Sequence, residues 1–199
     1  MHRFVSSRLY RHIPETTHNN GFSLIEVLIS IVVLSFGIFG GVKMQLHSLQ
    51  MAQQSNFYST AVELASDMAE RMRRNHEQLH PAGSSPDVSP FLTINFQSGD
   101  GIPESTDLCF NADCSPDQSA NADIVEWLQH ISAALPNARA VVCRDSSPWN
   151  SSTGSLTWEC TDDDHASVVI KLGWASHNNL EESTVANPAP RFAVAVAPY

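Results

Sequence analysis

The chain has 199 residues, which suits one globular domain with an appendage rather than two full domains. Its formal net charge is −10 at pH 7, and from residue 77 onward 16 acidic residues stand against four basic ones. Such an acidic domain lacks the positive surface that holds the phosphates of DNA or RNA, so we expect no nucleic-acid partner.

The first 21 residues are polar and basic, with Arg3, Arg8 and Arg11 against Glu15. A secretory signal peptide places its apolar region before the cleavage site. Here the order is reversed, because the apolar run FSLIEVLISIVVLSFGIFGGV follows at residues 22–42. Positive charge before an apolar run favours a cytoplasmic N-terminus, so the rest of the chain is expected to be exported.

The apolar run is long enough to cross a membrane as a helix. At about 1.5 Å per residue it covers the roughly 30 Å hydrocarbon core of a bilayer. The alternative is a helix buried in a soluble core, but a chain of 199 residues offers too little protein to enclose it on every side. We therefore predict a single membrane-spanning segment.

Residues 21–40, GFSLIEVLISIVVLSFGIFG, resemble the N-terminal signature of type IV pilins and pseudopilins. The shared features are a glycine, a phenylalanine, and a glutamate four residues after the phenylalanine within an apolar run. The resemblance implies that a prepilin peptidase cleaves after Gly21 and methylates the new N-terminus at Phe22. It also implies an inner-membrane protein with one span and a periplasmic C-terminal head, which joins a pilus after cleavage.

Glu26 is the one ionisable residue of the apolar run. A charged side chain at the centre of a bilayer costs about 2.5–3.5 kcal/mol on insertion scales, so it needs a partner. After cleavage, the α-amine of Phe22 provides a cation one helical turn away, in the same subunit or in a neighbour. The resemblance implies that Glu26 is needed for assembly. The alternative is that it marks the end of the helix near the membrane interface.

The helical pattern continues beyond the membrane run without a proline and is predicted to end near Asn75. Two acid–base pairs at i,i+4 spacing, Asp67–Arg71 and Glu70–Arg74, favour the same helix. One apolar face, expected to contact the head, comprises Val42, Leu46, Leu49, Gln53, Phe57, Ala61, Leu64, Met68 and Met72. The predicted organisation is a leader (residues 1–21), a membrane-spanning half-helix (22–43), an amphipathic half-helix (44–76) and a head (77–199).

The head combines one helix with short strands. Apolar residues at helical spacing predict a helix over residues 122–135. β-Branched and aromatic residues between turn sequences predict strands at residues 91–96, 139–144, 155–160, 167–174 and 192–197. The predicted class is α+β and type IV pilin-like, with a long N-terminal helix packed on a small antiparallel sheet.

All four cysteines, Cys109, Cys114, Cys143 and Cys160, lie in the head. An even number in an exported domain indicates two disulfides, and four cysteines allow three pairings. We predict Cys109–Cys114, which would close a small loop, and Cys143–Cys160, which would join two adjacent strands. A zinc site is the alternative, but the intervals of five, 29 and 17 residues do not include the close pairs typical of zinc knuckles.

Three segments resemble the PilV-type minor pilins, also called type IV pilus modification proteins: residues 61–75, residues 122–127 with Leu135 and Pro136, and residues 168–174. The resemblance implies a minor pilin that primes assembly near the filament tip and affects adhesion or motility. It implies as partners other minor and major pilins, prepilin peptidase, the inner-membrane assembly machinery and membrane lipid. One alternative is a minor pseudopilin of a type II secretion system. A second is a membrane-tethered periplasmic binding module or adhesin.

Catalytic and metal-binding patterns are not found in the sequence. The histidines are dispersed without an HExxH motif, and neither a GxSxG nor a phosphate-binding loop occurs. The run Asp162-Asp-Asp164 lacks the alternating ligands and the glycine of an EF-hand loop. We therefore expect a structural subunit rather than an enzyme, with no cofactor and no metal.

Overall fold

The computed structural model describes residues 21, 23–78, 89–103, 109, 113–163, 165–175 and 189–196. The chain divides into two compact units, residues 1–46 and 47–199. The helices are α1 (Leu24–Arg74) and α2 (Pro116–Ala134), and short 3₁₀ turns lie at His76–Gln78 and Pro90–Thr93. The strands are β1 (Asn95–Gln97), β2 (Arg139–Arg144), β3 (Trp149–Asn150), β4 (Ser155–Leu156), β5 (Val168–Gly173) and β6 (Phe192–Val196).

Helix α1 is continuous over 51 residues, as the proline-free pattern predicts. Its apolar face is buried in the second unit, where Ala61, Leu64, Met68 and Met72 belong to the core and Phe57 packs against it. The predicted burial of the earlier part of this face is wrong. Leu46 and Leu49 are 55% and 66% exposed, because the apolar contacts of the helix with the head core begin only at Phe57.

Helix α2 begins six residues before the predicted start. Ser115 forms a capping box, in which its hydroxyl accepts a hydrogen bond from Gln118 N and the Gln118 side chain accepts one from Ser115 N. Pro116 occupies the first turn, where its missing N–H costs nothing. These contacts satisfy backbone donors at the helix start and extend the helix into a segment with the composition of a loop.

The buried face of α2 packs against α1 and the sheet. Trp127 is fully buried, and its indole Nε1 donates a hydrogen bond to the carbonyl oxygen of Leu64 in α1, at 2.8 Å. An indole N–H buried without an acceptor would be destabilising, so this bond specifies how the two helices meet. Its neighbours on the same face of α2 are Ala120, Ile124, Leu128 and Ile131.

The main sheet has four antiparallel strands in the order β1-β2-β5-β6. The α+β prediction of a long N-terminal helix and a small antiparallel sheet is confirmed. The face directed at the core carries Ala140, Val142, Val168, Ile170, Leu172 and Val196. All of β5 is buried, so its opposite face is also covered.

The covering element is a segment that we call the strap, residues 157–163. The predicted strand at 155–160 is correct only at Ser155 and Leu156, because pairing ends there and the chain then turns onto the outer face of the sheet. There the ring of Trp158 packs on Gly173, where a Cβ would lie only 2.7 Å from the indole. The guanidinium carbon of Arg139 lies 4.5 Å from the centroid of the same ring.

The predicted strand at 91–96 is also wrong in its first part. Pro90 starts a 3₁₀ turn there, and the Thr93 hydroxyl donates to the Pro90 carbonyl oxygen at 2.9 Å. Proline provides no N–H for a strand ladder, whereas its fixed φ suits the start of a helical turn. Strand β1 therefore begins only at Asn95, and it pairs with β2.

Two disulfides join Cys109 to Cys114 and Cys143 to Cys160, with Cα–Cα distances of 5.7 and 6.2 Å. These are the pairs that the sequence favours, but the second does not join adjacent strands as expected. Cys143 is in β2 and Cys160 is in the strap, while the strands beside β2 are β1 and β5. The bridge therefore fastens the strap to the sheet.

Candidate processing and assembly segment

The predicted cleavage point precedes the first turn of α1. Gly21 is exposed and outside any helix or strand, and Phe22 lies outside the described residues. The first helical bonds close on Ser23, whose carbonyl oxygen accepts from Glu26 N at 3.0 Å and from Val27 N at 3.3 Å. The Gly21–Phe22 bond therefore precedes the hydrogen-bonded part of the helix in sequence.

Glu26 lies in the first turn of α1 and is exposed in the single chain. A carboxylate at this end of a helix interacts favourably with the helix dipole. Within the part of the chain that the structure describes, no cation lies at ion-pair distance from Glu26. The α-amine of Phe22, its predicted partner, falls outside that part.

The apolar first half of α1 is exposed to solvent among the residues that the structure describes. Among the described residues, α1 alone is long and apolar enough to cross a membrane by length and composition, with a mean hydropathy of 2.3 over its most apolar window. None of that window is buried, and Leu24 and Phe36 are 90% and 74% exposed. The alternative of a helix buried in a soluble core is inconsistent with this exposure.

Four charged side chains join α1 to α2 in the head. Arg71 Nε lies 2.9 Å from Asp67 Oδ2, and Arg71 Nη1 lies 2.8 Å from both Asp123 Oδ1 and Glu126 Oε2. The spacing of Asp67 and Arg71 predicts the contact within α1. In sequence, Arg71 is 52 and 55 residues away from its two partners in α2, so no local pattern predicts these contacts.

Within this cluster, Arg71 and Glu126 favour each other's charged form. Burial by itself would lower the pKa of Arg71, but hydrogen bonds to Glu126 and Asp67 outweigh it and raise the pKa above its ordinary value. The hydrogen bond from Arg71 in turn lowers the pKa of Glu126, against the effect of burial. The cluster therefore stabilises the contact of α1 with α2 while Glu126 is ionised.

The lowered pKa of Glu126 predicts how stability depends on pH. A carboxyl group whose pKa is lower in the folded than in the unfolded state stabilises the fold above its ordinary value of 4.5, and loses this effect as the pH falls through the folded-state pKa. We expect Glu126→Gln to cost about 0.5–1 kcal/mol at pH 7, since the side chain is half exposed. The loss of stability in acid should be smaller than in wild type.

Urea unfolding between pH 3 and pH 7 measures this effect, because this range runs from below the usual carboxyl pKa of about 4 to a pH at which carboxyl groups are ionised. Glu63→Gln is the matched control, because Glu63 is an exposed glutamate in α1. Equal pH profiles for the two variants would contradict the assignment to Glu126.

Comparison with known families gives one match. The prokaryotic N-terminal methylation motif matches residues 16–42, a span that includes Gly21, Phe22, Glu26 and the apolar run. No curated protein and no solved structure matches the chain. The motif supports a membrane-anchored structural subunit that is processed by prepilin peptidase and assembles with other pilins. In its N-terminal motif and in its α+β architecture, the chain is similar to the type IV pilins and pseudopilins.

Proposed function

We propose that this protein is a minor pilin, a structural subunit of a type IV pilus. Prepilin peptidase removes residues 1–21 and methylates Phe22, and residues 22–43 then hold the subunit in the inner membrane with its head in the periplasm. The observation that carries the proposal is that the methylation motif leads directly into a helix whose apolar half is unburied in the single chain. Such a surface requires lipid before assembly and other subunits after it.

The subunit leaves the membrane by exchanging lipid for pilin neighbours. Its partners are other minor pilins, the major pilin, and the inner-membrane assembly machinery. Glu26 pairs with the α-amine of a neighbouring Phe22 when the subunit enters the filament, which removes an unpaired charge from an apolar environment. Assembly near the tip leaves the head available for effects on adhesion or motility.

Two features support a pilus rather than a type II secretion system, whose pseudopilins share the N-terminal motif. The head from residue 77 to 199 is long for a minor pseudopilin, and its segments resemble PilV-type pilins. Deleting the gene in the native host tests this assignment. Loss of surface pili with normal protein secretion supports the minor pilin, whereas loss of secretion with normal pili supports the pseudopilin.

Processing at Gly21 provides the first test of the proposal at the level of the protein. Coexpressed with prepilin peptidase, the chain should lose 21 residues and gain one methyl group, which intact-mass measurement detects. Gly21→Ala should remain uncut. A Cβ at Gly21 meets no atom of the described residues within 4 Å, so we expect the loss to arise in the peptidase site rather than in the fold.

Gly37→Ala is the matched control. Gly37 also has free space around a Cβ and lies inside α1, where alanine is favoured by about 1 kcal/mol. This variant should be cut and methylated normally. Cleavage of Gly21→Ala at the wild-type rate would contradict the assignment of the cleavage site. A membrane-tethered binding module would retain its activity when uncut, whereas an uncut pilin should be absent from filaments.

A further inference from the structure

Lys171 is an unusual residue in the head. The chain has two lysines, Lys43 in α1 and Lys171 in the middle of β5. The Lys171 side chain is 0% exposed, and its Nζ lies 2.5 Å from Oδ2 of Asp145, which is also 0% exposed. The same Nζ donates a hydrogen bond to the carbonyl oxygen of Glu159 at 2.6 Å. One of the two contacts of this ammonium group therefore comes from the strap.

Three successive residues of the strap contact the outer face of the sheet. Trp158 packs on Gly173, Glu159 provides the carbonyl acceptor for Lys171, and Cys160 is bonded to Cys143. Cys143 pairs across the ladder with Val169, and Lys171 pairs with Val141. On β2, the disulfide is attached at Cys143. This residue is two positions from Val141, the cross-strand neighbour of Lys171.

Further hydrogen bonds join the strap to the chain at the end of β2. Thr161 Oγ1 accepts from Ser146 N at 2.9 Å, and Asp162 N donates to Arg144 O at 3.0 Å. Both are single hydrogen bonds to exposed or half-buried groups, each of small net stabilising effect. The disulfide, by contrast, is a covalent contact of the strap. Its Cys160 directly follows Glu159, whose carbonyl oxygen accepts the hydrogen bond from Lys171.

Burying two charges away from water is costly, and their mutual attraction offsets this cost only while the groups that hydrogen-bond to them are in place. Lifting the strap removes the Glu159 carbonyl from Lys171 and opens the outer face of β5. Water would then solvate the ammonium and carboxylate groups, which favours the open form. Closure of the strap and shielding of the pair are consequently coupled.

We propose that the Cys143–Cys160 disulfide controls this closure, so that the strap shields Lys171 and Asp145 when the disulfide is formed and opens when it is reduced. The bond forms when the two thiols lose two protons and two electrons to an exchangeable protein disulfide, which becomes a dithiol. Reduction by a dithiol reverses the step. This inference concerns the head alone and does not rest on the proposed function.

The second disulfide provides a matched control within the same chain. Cys114 directly precedes Ser115, the N-cap of α2, and its partner is Cys109. Replacing both of its cysteines by serine removes one covalent bond and adds two hydroxyl groups, as the same replacement does at Cys143 and Cys160. It should leave the strap closed.

Acylation of lysine measures the opening. The full chain in detergent micelles is treated with the N-hydroxysuccinimide ester of acetic acid, and modification of Lys171 is followed by peptide mass spectrometry, with Lys43 as the internal reference. In Cys143→Ser/Cys160→Ser we expect the acylation rate of Lys171 to rise about a hundredfold, from the chain-entropy effect of a loop of this length. Cys109→Ser/Cys114→Ser should match wild type.

Hydrogen exchange distinguishes opening of the strap from unfolding of the head. The amides of α2 should stay protected in Cys143→Ser/Cys160→Ser, because α2 packs on the opposite face of the sheet. Unchanged acylation of Lys171, or an equal rise in both double variants, would overturn the proposal. Loss of α2 protection together with the rise would also overturn it, since the disulfide would then hold the whole head.

Discussion

After Glu26 is replaced by valine, the processed protein should accumulate in the membrane and be missing from sheared filaments. The substitution makes the apolar run more apolar, so insertion should be as good as in wild type or better. The Gly21–Phe22 bond is unchanged, so cleavage and methylation should continue. Incorporation should fail, because the α-amine of Phe22 would enter an apolar environment without its carboxylate partner.

Ser35→Val is the matched control for Glu26→Val. It also replaces a polar residue of the apolar run by valine, but it removes only a hydroxyl group that donates to the Ile31 carbonyl oxygen at 2.7 Å. Immunoblots of membrane and sheared-filament fractions should show this variant in both. Normal recovery of Glu26→Val from filaments would contradict an assembly role and favour a residue that marks the membrane interface.

Lys171→Met should destabilise the head by about 3–5 kcal/mol, the usual cost of leaving one member of a buried ion pair without its partner. Methionine fills similar space in β5, but Asp145 would keep a buried carboxylate without a cation. That carboxylate also accepts a hydrogen bond from Ser147 N at 2.9 Å, so it cannot easily turn away to solvent. Urea unfolding of the full chain in detergent, followed by tryptophan fluorescence, measures the loss.

The double variant Lys171→Met/Asp145→Asn separates loss of the pair from loss of packing. Asparagine keeps an oxygen for Ser147 N but has no charge, so most of the lost stability should return. A double variant as unstable as Lys171→Met would contradict the electrostatic explanation and assign the effect to the methionine side chain.

The parts of the fold that are predictable from sequence have a repeating local pattern. Strand β2 begins and ends where predicted, and β5 is one residue shorter than predicted at each end. Strand β6 begins where predicted, and its predicted end at residue 197 lies outside the described residues. Each is a short apolar run between polar turns. Helix α1 is equally recognisable, since apolar residues recur at helical spacing and no proline interrupts them.

The start of α2 shows a local signal that is easily overlooked. Ser115 and Gln118 have the spacing of a capping box, and Pro116 is typical of a first helical turn. The surrounding residues are polar and small, so composition favours a loop. The cap outweighs composition here because it satisfies backbone N–H groups directly.

The buried pair of Lys171 and Asp145 has no local signal. The two residues are 26 positions apart, and in sequence each has the appearance of a surface charge. In the antiparallel ladder Arg144, at the end of β2, pairs with Val168, three residues before Lys171, so only the tertiary fold brings the two side chains together. The motif around Gly21 and Glu26 is the opposite case, because the sequence identifies those residues while their roles await the experiments above.

The contact between the Trp127 indole and the Leu64 carbonyl oxygen has a mechanical consequence. The bond is directed at one carbonyl of α1, and Arg71, two turns further on, contacts Asp123 and Glu126 of the same helix α2. Sliding α1 by one residue would break all of these bonds together. A tensile force applied along α1 between residues 61 and 74 is therefore transmitted to α2 as shear, and several bonds share the load. This part of the head consequently resists pulling better than a contact whose bonds break one at a time.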